Sequence, residues 1–226
     1  MYYEAKDRVC YILYPFFIFE GGKAMQVINL LIGAVIQFLL FSALPFLWWF
    51  VQKRKETPFF HWLGLKKPII KNTKKYTTTV ILVVLLFLSV SFIMPKIVDS
   101  SDTATSQFAG RRLTALLPAI IYSFLQTGLS EEVFFRGFLM RVLVDAFGFN
   151  VGNFVQALLF GILHGVFFFS VLGVIQSLLI ILITGTTGLF MGWINERQSG
   201  GSIIPSWLLH GFANLLASLL AMFSLG

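Results

Sequence analysis

The sequence predicts an all-α, polytopic integral membrane helix bundle of about six to eight transmembrane helices. Three observations predict it. Only 12% of the 226 residues are charged, 57% are hydrophobic, and the mean hydropathy is +0.84. A soluble domain carries roughly 25% charged residues, so this chain cannot coat a water-facing surface. Stretches without Asp, Glu, Lys or Arg cover 24–52, 76–95, 113–130, 146–195 and 198–226. A helix needs about 20 apolar residues to cross the hydrocarbon. The runs lack the alternation of a barrel, and backbone groups in lipid must pair internally, which leaves helices.

The elements follow in order. Val9–Phe19 is too short to span and predicts an interfacial N-terminal segment over 1–24. Glu4 and Asp7, with no A-x-A site after them, argue against a signal peptide. The single domain 25–226 begins with a span at 25–51. Eight of the 17 Lys and Arg then lie in 53–75, with Glu56 as the one acid, inside a basic loop at 52–76. The positive-inside rule puts that loop in the cytoplasm. A nucleic-acid partner is not expected, because no recognition motif accompanies the basic cluster. Span two, 77–95, runs outward, and 96–112, with Asp99 and Asp102, lies outside. Span three starts near Leu113 and continues to about Val144. Spans at 151–168, 172–195 and 203–225 follow, with a Glu196-Arg197 turn inside. Cys10 is the chain's one cysteine, so there is no internal disulfide and no Cys-cluster metal site.

Polar residues inside the spans are few, and such groups are costly there unless they function. In Ser130-Glu131-Glu132-Val-Phe-Phe-Arg136, Glu132 and Arg136 stand four apart on one helical face and can pair. Glu131 points about 140° away from Arg136, toward a cavity, where a desolvated carboxylate suits a general base. His164 follows Phe160 by four, flanked by Gly161 and Gly165, which also read as a helix contact. His210 and Asn214 again share a face and present two donors fit for an oxyanion. Together Glu131, His164, His210 and Asn214 form a hydrolytic set.

Competing chemistries lack their residues. There is no H-E-x-x-H, no Lys inside a span for a Ser–Lys dyad, and Asp145 is the only Asp after 102. A zinc site built from Glu131, His164 and His210 stays open, since His2Glu is a known catalytic zinc set. Straight-rod counting puts Glu131 about 27 Å from Leu113, toward the cytoplasmic side, and His164 about 20 Å above Val151. A longer entry, a tilt or a kink has to reconcile those depths.

At these residues the chain resembles the CAAX protease and bacteriocin-processing family (CPBP, Abi or type II CAAX endopeptidase-like). Three motifs carry the resemblance in order: Glu131-Glu132-x-x-x-Arg136, Phe160-x-x-x-His164 and His210-x-x-x-Asn214, within about 110–218. The resemblance implies an intramembrane glutamate protease without a metal cofactor. It implies that Glu131 and His164 activate water and that His210 and Asn214 form the oxyanion site. It associates Glu132 and Arg136 with holding the site and the substrate end. Its partners would be membrane lipids and a protein or peptide precursor, prenylated or not, at a site toward the cytoplasmic side. Two other readings stand beside it: a non-catalytic immunity or scaffolding membrane protein, and a proton-coupled transporter, since buried Glu and His also relay protons.

Overall fold

The computed structural model describes residues 23–99, 103–169 and 172–225, with no strand among them. The segment expected at 1–24 lies outside the described residues except for Lys23 and Ala24, which open the first helix. Among the described residues, five helical runs are long and apolar enough to cross a membrane. Their outer faces carry Leu39, Leu40, Leu82 and Leu182, each at least 60% exposed, while Ser123, Gln126, Glu132, Arg136, Asn153 and Gln156 are buried. Apolar outside and polar inside is the arrangement hydrocarbon solvent selects, because the polar groups can find partners only in the bundle.

Helix α1 is Lys23–Gln52, with Pro45 inside it. The short α2, Phe59–Trp62, sits in the basic segment. Asn72 caps α3, Thr73–Ile93, by accepting the Lys75 backbone N–H at 2.9 Å, which satisfies one orphan donor of the first turn. Turns of 3-10 helix at Met94–Lys96 and Ala104–Phe108 lead to a run of 58 residues, Arg112–Phe169.

That run is too long for one crossing, and it reverses at Gly148 (φ 79°, ψ 167°), a backbone state open to glycine and strained for other residues. A Cβ on Gly152 would lie 2.6 Å from the Val144 nitrogen, whereas eight residues of straight helix separate atoms by about 12 Å. The two legs are α4, 112–147, and α5, 149–169. Helix α6 is Val174–Trp193, continued by a π turn at Ile194–Gln198, and α7 is Ile204–Met222. The charge-free stretch 146–195 therefore holds the two crossings its length requires.

Small residues set the close packing of α5 on α6. Gly161 faces the Ile181 carbonyl and Gly185; Gly188, whose partner the sequence leaves open, packs on Ala157 of α5. At the basic end, backbone pairs tie 64–69 to 199–203: the Ile203 N–H donates to the Gly64 carbonyl at 2.9 Å and the Ile69 N–H to the Ser199 carbonyl at 3.1 Å. Arg141 Nη2 donates to the Gly201 carbonyl at 2.5 Å. At the opposite end, the Gly110 N–H donates to the Ala221 carbonyl at 3.2 Å.

Candidate active site

Glu131 lies 17 residues before Gly148 and His164 lies 16 after it. In an antiparallel hairpin, residues equidistant from the turn meet at one height, and these two do. The rod count misjudged their depths because it measured from assumed membrane edges instead of from the reversal. Helix α4 is also wound as π helix over Ile121–Leu129 and Val133–Leu139, on either side of Ser130–Glu132, a winding often found at functional sites.

Glu131 Oε2 stands 3.8 Å from His164 Nε2 and 3.7 Å from His210 Nε2. These separations exceed a hydrogen bond. Partners at the other ring nitrogens settle the tautomers. His164 Nδ1 is 2.8 Å from the Phe160 carbonyl, which can only accept, so Nδ1 carries the hydrogen. His210 Nδ1 is 3.0 Å from Glu132 Oε1 and donates to that carboxylate. Both rings turn Nε2 toward Glu131.

Glu132 is fully buried, and its Oε1 also lies 2.8 Å from Arg136 Nη1. The adjacent carboxylates therefore have different surroundings: Glu132 is sealed beneath His210 and Arg136, and Glu131 faces the two imidazoles. Arg136 lies over the Phe160 ring, its Cζ 4.1 Å from the centroid. The same ring meets His164 at 4.4 Å and His210 at 5.9 Å, the latter edge-on. Phe160 thus backs both histidines and the arginine at once. The spacing Phe160-x-x-x-His164 places it on the right face, yet spacing does not show that it carries all three.

Asn214 Nδ2 donates to Thr127 Oγ1 at 2.8 Å, and that hydroxyl donates to the Tyr122 carbonyl at 3.0 Å. Thr127, one turn before Glu131, fixes the amide; a search for ionisable groups passes it over. Gln156 and Asn153 escape the same search. Gln156 Nε2 is bonded to Asn153 and, at 3.2 Å, to the Gly188 carbonyl, beside the Arg136 guanidinium.

A cavity of about 250 Å³ opens against this cluster, with Phe160, His164, His210 and Asn214 in its wall. It runs toward the end of the bundle that carries 94–105, lined by Ser91, Met94, Thr103 and Thr105. That end is opposite the basic segment. The cavity opens through the helix halves distal to the basic segment. Arg136 is not among the residues lining the cavity; it stands behind Phe160 and pairs with Glu132. Among the described residues no group of three or more His, Cys, Asp or Glu side chains is arranged to hold a metal ion.

Residues 113–216 match the family model described as type II CAAX prenyl endopeptidase Rce1-like. No curated protein and no solved structure matches the chain. The matched stretch contains both legs of the α4–α5 hairpin, α6 and the first two-thirds of α7, and so every residue of the cluster. Over its motif-bearing part, 113–216, this integral membrane protein is similar to the type II CAAX prenyl endopeptidase Rce1-like family.

Proposed function

We propose that the protein is an intramembrane glutamate endopeptidase, formed by one membrane-embedded domain over 25–226, that hydrolyses a peptide bond in a membrane-associated protein or peptide. The observation that carries the reading is Glu131 Oε2 set between the Nε2 atoms of His164 and His210, two histidines that line the cavity. Water positioned there gives one proton to the Glu131 carboxylate while its oxygen bonds to the scissile carbonyl carbon. His164, its Nδ1–H anchored on the Phe160 carbonyl, orients that water through its Nε2 lone pair.

The tetrahedral oxyanion meets the second N–H of the Asn214 amide. His210 supplies a second donor when it enters the reaction as the imidazolium, with Nδ1–H on Glu132 and Nε2–H turned to the oxyanion, and it keeps both protons throughout. Glu132, buried against its Nδ1, stabilises that imidazolium, as a carboxylate does behind a catalytic histidine. Collapse breaks the C–N bond, and the proton held by Glu131 passes to the leaving amine. One water is consumed, and one acid and one amine result.

The reaction as proposed needs only the carboxylates, imidazoles and amide. A zinc ion held by Glu131, His164 and His210 is the competing arrangement, and chelation separates the two. Purified protein in liposomes, given membrane-anchored fluorogenic peptides, is expected to cleave, and to keep cleaving under a strong chelator. Glu131→Ala and His164→Ala are each expected to lower the rate by about 10²–10⁴-fold. Full activity in either variant ends the proposal. Loss under chelator with zinc-restored activity moves it to a metalloprotease. The basic segment 53–75 is placed in the cytoplasm by its charge. Aromatic partners for its cations and their neighbours, Lys75 over Trp193 and Arg197 over Phe149, fit an interface belt at the same end.

A further inference from the structure

We infer that segment 53–75 is a preformed docking surface for the anionic headgroups of membrane phospholipid. The charge balance of the chain carries the inference first. Of its 17 Lys and Arg, eight lie in 53–75, and of its ten Asp and Glu, only one does. The rest of the chain, with nine of each, is neutral, so the whole net charge of +7 sits on this one segment. Its single acid, Glu56, is already taken by Lys53 at 3.0 Å. Lys55, Lys67, Lys71 and Lys74 are exposed, and none of them forms an ion pair among the described residues. Lys66 is half-buried beside Arg141. Burial first, and then that guanidinium, holds its ammonium below the usual lysine range, with Glu196 offsetting part of the effect. Cations crowded this way draw their counter-charge from outside the chain.

The place of the segment and its other side chains select the source. It joins the end of α1 at Gln52 to the start of α3 at Thr73, two helices long and apolar enough to cross a membrane. It therefore lies where hydrocarbon gives way to headgroups. Among its lysines it exposes Phe60, Ile69 and Ile70. In a headgroup layer such apolar side chains reach the acyl chains while the ammonium groups meet phosphates. A soluble polyanion would cover the lysines and leave the apolar side chains in water. The backbone that carries them is already fixed. Besides the pairing of 64–69 with 199–203, the Ser202 hydroxyl donates to the Lys66 carbonyl at 2.6 Å, and Asn72 caps α3. A surface ordered beforehand loses little entropy on binding. Basic clusters beside a membrane crossing attract anionic lipid in just this way.

The test equilibrates the full-length protein in phosphatidylcholine liposomes holding about one-tenth phosphatidylglycerol, extracts it in mild detergent and counts the retained phospholipids by mass spectrometry. Phosphatidylglycerol is expected to be enriched at least about fivefold over its bulk ratio. The enrichment is expected to collapse in about 0.5 M NaCl, where exposed charges are screened. The double variant Lys67→Gln/Lys71→Gln is expected to lose at least about half of it, with an unchanged Tm. Arg111→Gln/Arg112→Gln removes the same charge at the opposite end of the bundle and is expected to keep it. Equal retention of the two lipids overturns the inference, as does parental enrichment in the lysine variant. An equal loss in the arginine variant assigns the effect to net charge alone and overturns the surface. Displacement of the lipid by inorganic phosphate at constant ionic strength assigns the surface to a soluble anion and overturns the lipid reading. None of these readouts requires cleavage, so the hydrolase reading stands or falls separately.

Discussion

The two ends of the bundle are built on opposite rules. At the basic end, backbone meets backbone: 64–69 is hydrogen-bonded to 199–203, and Leu63 and Ile203 are within 1% of complete burial. At the far end, side chains of α3, α6 and α7 stand apart around a cavity that reaches the catalytic cluster. Both ends are made of apolar helix, so composition does not separate them. The difference lies in what fills the space between helices. Two left-handed glycines, Gly64 (φ 84°) and Gly201 (φ 75°), let the loops of the basic end close on one another. No comparable loop pairing covers the mouth among the described residues. The bundle is closed at its basic end and hollow at the other.

The contrast can be broken most severely from its centre. Arg136→Ala leaves Glu132 as a buried carboxylate without its arginine, with His210 and Ser206 as remaining partners. The expected loss is about 3–5 kcal/mol of stability, read by denaturant unfolding in detergent. A variant as stable as the parent would show that the pair does not support the site.

Gly64→Ala attacks the closed end. Its Cβ would lie 2.5 Å from the Gly201 carbonyl and 3.2 Å from Ile203, at a positive φ. A cost of about 1–3 kcal/mol is expected, measurable as a lowered Tm, while the cleavage rate per folded molecule stays within twofold. An unchanged Tm would mean that the loop junction is looser than drawn.

Ala217→Leu tests the open end and reverses the pattern. The added methylenes enter the cavity instead of a packed core, so the Tm is expected to stay within about 2 °C. Cleavage is expected to fall about tenfold, equivalent to roughly 1.4 kcal/mol in activation free energy. A fall in Tm with no change in rate would mean that the cavity is not on the substrate's path.

Much of the site was legible before any coordinates. The i, i+4 spacing of Glu132 and Arg136 and of His210 and Asn214 states which side chains share a face, and apolar surroundings mark each as unusual. The closing of the basic end was not legible. Residues 62–63 and 203, which plug the basic side, are ordinary apolar letters in a loop and at a helix start. Nor could spacing show that His210 turns its Nδ1 to Glu132, since that contact joins residues 78 apart.

By itself the sequence determined the solvent, the helical class and the list of polar groups that the membrane would force inward. Hydropathy and short-range periodicity are local properties, and they suffice for those conclusions. Only the tertiary structure decided that Glu131 and His164 stand at one depth, that Phe160 carries three partners, and that the cavity leads away from the basic loop. Each depends on where the chain reverses at Gly148 and on how separate helices pack. Those are long-range relations, and a linear order of residues does not contain their distances.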